Sequence, residues 1–137
     1  MLSNVTLYHI NFHTFRGKPV FELELYDRTM RLCLTDVLKR HRILCLAWEV
    51  MPTHLHMIVM DFPDLQRSTI VKRVKGATAH AFLAAYPGLR EDLGGGHLWT
   101  KGHFAVEITT HEQFLATLHY VRTNRARSGL APPVPLQ

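Results

Sequence analysis

Two histidines separated by one residue stand near the middle of the chain, in the segment His54-Leu55-His56. On a β-strand, residues i and i+2 point to the same face, so both imidazoles would emerge side by side, at a spacing that suits two ligands of one metal ion. Leu55 would then point into the core. A zinc site is disfavoured, because no third histidine or cysteine follows at a zinc-like spacing. On this pattern alone, two partly exposed histidines at a strand start remain an equal alternative.

A second candidate group lies near the C-terminus, where Tyr120 precedes Asn124 by one helical turn. The apolar residues of this segment, spaced for one helix face, are Phe114, Leu115, Leu118 and Val121. Tyr120 falls off that face, and Asn124 falls on the same side as Tyr120 because residues i and i+4 are neighbours on a helix. A phenol and an amide placed together could be a nucleophile with a metal ligand beside it. The alternative is an ordinary surface tyrosine.

The chain is basic, with 16 Lys and Arg against 11 Asp and Glu and a net charge of +5. Eleven of the basic residues are arginines, whose guanidinium groups match phosphate oxygens bidentately, so the composition leans toward nucleic acid. The basic residues with the most suggestive positions are Arg16, Lys72, Arg73, Lys75, Arg122, Arg125 and Arg127. Taken one at a time, each is more readily explained as a solvated surface charge.

The elements that must position these residues follow from hydrophobic periodicity and turn signals. The pattern predicts strands over 5–12, 43–51 and 54–60, one or two strands within 98–108, and helices over 22–41, 65–85 and 111–124, the last capped by Thr110. The order β-α-β-β-α-β-α is a split βαβ pattern. We therefore expect an α+β, ferredoxin-like or RRM-like sandwich. An antiparallel sheet would have helices on one face, with an added C-terminal helix and the other face or its rim free for binding.

Length and composition limit the class of protein. A chain of 137 residues predicts one domain over 1–137 and excludes a two-domain dinucleotide enzyme or a (β/α)₈ barrel. Cys33 and Cys45 lie in apolar segments and are expected to be reduced core residues. We expect no signal peptide, no membrane association and a cytoplasmic, nucleoid-associated location. Ser128-Gly129-Leu130 is expected to end the last helix, and the Pro-rich tail over 131–137 cannot continue it.

Several segments together resemble a known family, the HUH-type single-strand DNA tyrosine transposases of minimal bacterial insertion sequences, and their relatives associated with repetitive extragenic palindromes. The matching segments, in family order, are Tyr8-His9-Ile10, Met51-Pro52-Thr53-His54-Leu55-His56, Arg73-Val74-Lys75-Gly76 with Ala79, Leu98-Trp99, Gly102-His103-Phe104 and Tyr120-Val121-Arg122-Thr123-Asn124. They span nearly the whole chain. Two positions depart from the usual pattern: Thr53 replaces Asn or Asp, and Arg125 replaces the proline of the repeat-associated branch.

The resemblance implies a catalytic mechanism. Tyr120 would be the nucleophile, and His54, His56 and Asn124 would hold Mg²⁺ or Mn²⁺, with no nucleotide cofactor. Attack on a DNA phosphate would leave a 5′-phosphotyrosine link and a free 3′-OH. The substrate would be single-stranded DNA with a hairpin, held by the basic residues, with bases stacked on aromatic rings such as Trp99. A homodimer is expected.

Two other functions remain open at this stage. One is a non-catalytic, RRM-like module that binds single-stranded nucleic acid, such as a domesticated transposase that has lost cleavage. The other is a metal-dependent hydrolase of small phosphoesters. The second needs another His-x-Thr/Ser pair, which His13-Thr14-Phe15 and His80-Ala81-Phe82 do not supply.

Overall fold

The computed structural model describes residues 5–133, so the part of the predicted Pro-rich tail over 134–137 lies outside the described residues. It contains four strands, three long helices and one short helix. Their bounds are β1 Thr6–His13, α1 Glu24–Arg40, β2 Cys45–Met51, β3 His54–Asp61, α2 Arg67–Ala85, α3 Leu89–Asp92, β4 Phe104–Ile108 and α4 His111–Arg127. Within residues 5–133, no helix is both long and apolar enough to cross a bilayer.

The strands form one antiparallel sheet in the order β2-β3-β1-β4. The main core lies on one face, where apolar residues of β1 and β3 such as Phe12, Leu55 and Met57 pack against α1 and α2. The alternation predicted for β3 is confirmed, because Leu55 and Met57 are fully buried in this core while His54 and His56 face the opposite side of the sheet. The predicted α+β architecture is therefore confirmed.

The opposite face is only partly free, because α4 packs across it. Val121 of α4 is fully buried against Ile58 of β3 and Ile108 of β4, and Phe114 and Leu118 pack around them. The helix begins at the predicted cap, where the Thr110 hydroxyl accepts a hydrogen bond from the Gln113 amide at 3.0 Å. The helix thus lies beside the two histidines.

Two predicted elements change at their ends for local reasons. The last strand begins at Phe104 instead of Leu98, since Trp99 makes only an isolated bridge to Thr14 and Gly102 adopts a φ of +86°. The last helix continues beyond Asn124 to Arg127 and stops before Gly129, whose φ is +72°. The amide of Leu130 then bonds back to the Arg125 carbonyl, which is a common way to close a helix at glycine.

Candidate active site

Four histidines gather on the sheet face that carries α4. The antiparallel register of β1 and β3 pairs His13 with His54 and Asn11 with His56, and His9 lies two residues before Asn11 on the same face. The ring centroids of His54 and His56 are 4.8 Å apart. Those of His13 and His54 are 5.2 Å apart, and those of His9 and His56 are 5.1 Å apart. The sequence predicted two members of this cluster, and the register of the sheet supplies the other two.

The α4 helix brings Tyr120 to this cluster within the same chain. The phenol ring meets His56 edge-on at 5.7 Å between centroids and His9 at 5.9 Å. Tyr120 remains 43% exposed, so part of the residue is accessible to a substrate. A potential nucleophile therefore lies next to His56, one of the predicted metal ligands, and is partly open to solvent.

Each of the two predicted histidine ligands uses one ring nitrogen for a contact inside the protein. His54 Nδ1 lies 3.1 Å from the Thr53 hydroxyl, and His56 Nδ1 lies 3.0 Å from His9 Nε2. Both rings thus keep Nε2 as the atom that could bind a metal. Such protein contacts fix ring orientation and tautomer around metal sites. Thr53, which replaces the usual Asn or Asp, therefore still contacts the His54 ring through its hydroxyl.

Asn124 lies one turn beyond Tyr120, and its side chain is buried, with 4% of the residue exposed. Within residues 5–133, the Asn124 amide nitrogen and His56 Nε2 are both buried without a hydrogen-bond partner. Buried polar groups without partners are rare in folded proteins; a cation would satisfy a lone pair on His56 Nε2, whereas the Asn124 amide nitrogen is a donor and needs an acceptor. Two imidazoles and an amide oxygen are a suitable donor set for a divalent cation that retains water and substrate positions.

The described residues contain no group of three His, Cys, Asp or Glu side chains that could hold a metal ion. A metal site built from the predicted residues would therefore need the amide oxygen of Asn124 as its third protein ligand. Burial lowers the pKa of His56 to about 3, and neighbouring His54 and His9 push it in the same direction. Burial also lowers the pKa of His54. Both rings are therefore neutral near pH 7, which is the form that binds metals.

Arg127 lies against the candidate nucleophile. Its guanidinium carbon is 4.1 Å from the centre of the Tyr120 ring, and it donates hydrogen bonds to the Tyr120 carbonyl at 2.6 Å and the Thr123 hydroxyl at 3.0 Å. Arg127 thus bonds to the last turns of α4 and places a positive charge beside the phenol. Arg122, on the same helix, is exposed.

The structure assigns Arg125 and Trp99 roles that conflict with contact to DNA. The Arg125 guanidinium is 3.3 Å from the Asp27 carboxylate and donates to the Val50 carbonyl at 3.1 Å, so it is already paired. The Trp99 ring is 7% exposed, meets Phe12 edge-on and donates from Nε1 to Thr78. A buried ring has little surface for a base, so the expectation of stacking on Trp99 is corrected. Both side chains hold the fold together.

The other predicted basic residues are divided between the two sides of the sheet. Lys72 and Arg73 are exposed on α2, which covers the face opposite α4, and Arg16 is exposed in the loop after β1.

Lys75 donates to the carbonyls of Thr100 and Gly102 and so anchors the segment before β4. A cleft of about 690 Å³ lies beside it and is lined by Arg90, Lys101 and other residues. Of the predicted basic residues, Arg127 contacts Tyr120 directly.

Three residues near the site were not singled out as site residues from the sequence. His9 and His13 share the face of His54 and His56, and Phe104 projects from β4, 64% exposed and edge-on to His13. Alternation along β1 would have placed the two histidines on one face. Their position beside β3 depends on strand order and register, which the sequence alone does not give.

The chain is similar to known transposases. The family model described as "Transposase IS200 like" matches residues 3–124. The ISDra2 transposase TnpA of Deinococcus radiodurans is 33% identical over 76 residues, which are 56% of this chain and 54% of that protein. The matched region thus spans about half the length of that curated relative.

Two solved structures share the fold. A candidate transposase from Deinococcus radiodurans R1 superposes with a TM-score of 0.67 at 24% identity, covering 92% of each chain. A REP-associated tyrosine transposase bound to a REP hairpin superposes with a TM-score of 0.69 at 17% identity, covering 92% of this chain and 70% of the other. Since the family model matches nearly the whole chain, the chain belongs to the IS200-like transposase family.

Proposed function

We propose that the chain cleaves and rejoins single-stranded DNA at hairpin-containing ends, through a covalent 5′-phosphotyrosine link to Tyr120. In this proposal, His54, His56 and Asn124 hold Mg²⁺ or Mn²⁺, and no nucleotide cofactor takes part. The observation that carries the proposal is the 5.7 Å contact between the Tyr120 and His56 rings within one chain. A partly exposed phenol beside the neutral His56 imidazole, whose buried Nε2 has no partner within residues 5–133, suits metal-assisted phosphoryl transfer.

The reaction proposed for Tyr120 is an in-line displacement at phosphorus. The Tyr120 oxygen forms a bond to phosphorus and loses its proton, while the bond from phosphorus to the 3′ oxygen breaks and that oxygen takes up a proton. The products are a 5′-phosphotyrosine link and a free 3′-OH. A divalent cation would supply charge neutralisation at a non-bridging phosphate oxygen. Arg127, beside the phenol, adds a fixed positive charge where negative charge develops.

The free part of the sheet face offers a surface for the strand. Phe104 is 64% exposed and Val106 is 55% exposed on β4, next to the histidines of β1. Exposed aromatic rings stack bases without strong sequence preference, and nearby cations hold the backbone. Arg122 on α4 and Arg16 after β1 are exposed candidates for phosphate contact. A hairpin substrate is supported by the relative of the same fold that is bound to one.

The homodimer expected from the family resemblance remains part of the proposal. The contact between Tyr120 and His56 of one chain favours a site completed in cis, so that a dimer would contain two independent sites. Dimerisation would then serve to hold two DNA ends together rather than to complete either site.

The proposal is tested by incubating the protein with end-labelled, single-stranded hairpin DNA and Mn²⁺. We expect a protein–DNA adduct that survives SDS and disappears in Tyr120→Phe. The matched control is Tyr26→Phe, which removes a phenol oxygen on α1, packed against Phe82 on the other face of the sheet. This control should retain the adduct.

Two results would overturn the proposal. An adduct that persists in Tyr120→Phe would exclude this tyrosine as the nucleophile. Hairpin binding by the wild-type protein without an adduct, across Mg²⁺ and Mn²⁺ and a series of flanking sequences, would identify a non-catalytic binding module instead. Loss of the adduct in His56→Ala, with hairpin binding intact, would support the metal site.

A further inference from the structure

The closest polar contact made by the His56 ring is to His9. His9 Nε2 lies 3.0 Å from His56 Nδ1, and the two rings stack at an interplanar angle of 25°. The contact runs diagonally between β1 and β3, because His9 itself pairs with Ile58. Both backbones belong to central strands of the sheet, so the two rings are held on rigid elements.

A hydrogen bond between two neutral imidazoles requires one N–H group and one lone pair. Each neutral ring carries a proton on only one of its nitrogens. If His9 donates, His56 must be protonated on Nε2 and cannot bind a metal through that atom. If His56 donates from Nδ1, its Nε2 keeps a free lone pair. Only the second arrangement permits His56 to act as a ligand.

The surroundings of His56 Nε2 favour the second arrangement. This atom is buried and has no hydrogen-bond partner within residues 5–133. An N–H group at this position would be a buried donor without an acceptor, which is costly. A lone pair at the same position could instead be satisfied by a cation, because a cation binds a lone pair and not an N–H group.

We propose that His9 is a positioning residue of the metal site: its Nε2 accepts a hydrogen bond from His56 Nδ1–H, which fixes the His56 tautomer whose Nε2 binds a divalent cation. This inference rests on the metal site of the proposed function. His9 would not touch the cation, and its effect would pass entirely through His56. Thr53 makes the equivalent contact to His54 Nδ1.

The first test measures Mn²⁺ affinity without DNA, by calorimetry or by the electron paramagnetic resonance of free Mn²⁺. His9→Phe keeps an aromatic ring but removes the acceptor, and we expect Mn²⁺ affinity to fall by about 10- to 100-fold. His9→Gln places an amide oxygen near the position of Nε2 and should restore affinity to within about threefold of wild type. The matched control is His13→Phe, a ring on the same strand beside His54. The Mn²⁺ affinity of His13→Phe should also stay within about threefold of wild type.

The second test reads the tautomer directly in metal-free protein. Long-range proton–nitrogen NMR spectra of wild type should show His56 Nδ1 protonated and Nε2 unprotonated. In His9→Phe, the signals should shift toward the Nε2–H form. This measurement on the wild-type protein does not depend on the folding of any variant.

The inference is overturned if wild-type His56 carries its proton on Nε2, or if His9→Phe binds Mn²⁺ as tightly as wild type. Both experiments omit DNA and are therefore separate from the cleavage test. If tautomer and affinity behave as expected but no adduct forms, the proposed cleavage fails while the role of His9 stands. If the adduct forms with Mn²⁺ but His9→Phe binds Mn²⁺ as tightly as wild type, only this inference fails.

Discussion

Arg125 and Asp27 join the C-terminal end of α4 to α1. Arg125 Nη1 lies 3.3 Å from Asp27 Oδ2, across 98 positions of sequence, and also donates to the Val50 carbonyl of β2. Asp27 is bonded in turn to Arg31, which pairs with Glu49 at 2.7 Å. This balanced group of two carboxylates and two guanidiniums fixes the helix that carries Tyr120 at the β2 edge of its own sheet.

Arg125→Met tests this connection, since it removes the charge but keeps an aliphatic stem. Arg31 still satisfies part of Asp27, so we expect the free energy of unfolding to fall by about 1–3 kcal/mol, as for a lost hydrogen bond to a charged group. Hydrogen exchange should accelerate in the last turns of α4. Urea unfolding and exchange mass spectrometry provide the two measurements.

The control for Arg125 is Arg40→Met, which breaks an exposed ion pair with Asp36 on α1. Exposed pairs contribute little, so its effect should stay below about 0.5 kcal/mol. If both variants lose the same stability, or if exchange in α4 is unchanged in Arg125→Met, the cluster does not hold the helix.

Much of the fold could be predicted because local periodicity carries it. The alternation of β3 put Leu55 in the core and the two histidines on the opposite face. The interpretation of α4 was partly wrong, because Leu115 is 51% exposed and Asn124 is buried. The spacing of apolar residues identifies one face of the helix, but the packing of α4 on the sheet determines which residues of that face are buried.

The remaining features depend on contacts between distant segments. Nothing near Arg125 in sequence reveals that Asp27 will accept its charge, so the residue resembled another member of a basic surface. Trp99 similarly sits in a short segment whose burial depends on Thr78 of α2. His9 gains its role only from the register that sets it beside His56. Strand order and register therefore decide which polar residues have partners.

Trp99→Phe separates a core role from base stacking. The variant loses the hydrogen bond to Thr78 and part of the ring that meets Phe12, so we expect a loss of about 1–3 kcal/mol in the free energy of unfolding. Affinity for hairpin DNA should not change. Fluorescence-detected unfolding and a filter-binding assay at fixed salt measure the two quantities.

Phe104→Ala should show the opposite behaviour, because the ring is 64% exposed beside His13. Loss of a stacking surface should weaken single-stranded DNA binding by about 1–3 kcal/mol. Stability should change by less than about 0.5 kcal/mol, as is usual at exposed positions. A Trp99→Phe protein that folds well but binds DNA weakly would reverse the assignment of these two aromatic residues.

The buried His56 ring should make the metal-free protein sensitive to mild acid. Burial lowers the pKa of His56 to about 3 in the folded protein, below its ordinary value of 6.5, so the unfolded chain binds more protons between these two pH values. The contribution of the His56 ring to the free energy of unfolding is therefore fully present above pH 6.5 and is lost as pH falls toward 3. The loss is at most about 1.4 kcal/mol per pH unit for one such group.

His56→Phe should therefore flatten the fall of unfolding free energy between pH 6.5 and pH 5. Val121→Ala, which destabilises the core beside α4 without removing a titrating group, should keep the wild-type slope. Urea unfolding at four pH values in the presence of a chelator measures both. Equal slopes in His56→Phe and wild type would contradict the low pKa of the His56 ring.

Mixing two inactive variants tests whether the site is completed within one chain. A Tyr120→Phe subunit retains the histidines, and a His56→Ala subunit retains the nucleophile. The ring contact within one chain predicts that neither subunit can repair the other, so the mixture should form no more adduct than the separate variants. The measurement is SDS-resistant hairpin adduct after the subunits have been denatured and refolded together.

Exchange of α4 between the two subunits of a dimer would give a different result. A mixed dimer would then contain one complete site, and a random one-to-one mixture would recover about a quarter of wild-type adduct. Such recovery would contradict the cis arrangement while leaving Tyr120 as the nucleophile. Arg125→Met in both inactive subunits extends the test, because loosening the end of α4 from Asp27 should allow recovery if this ion pair is what keeps the helix on its own sheet.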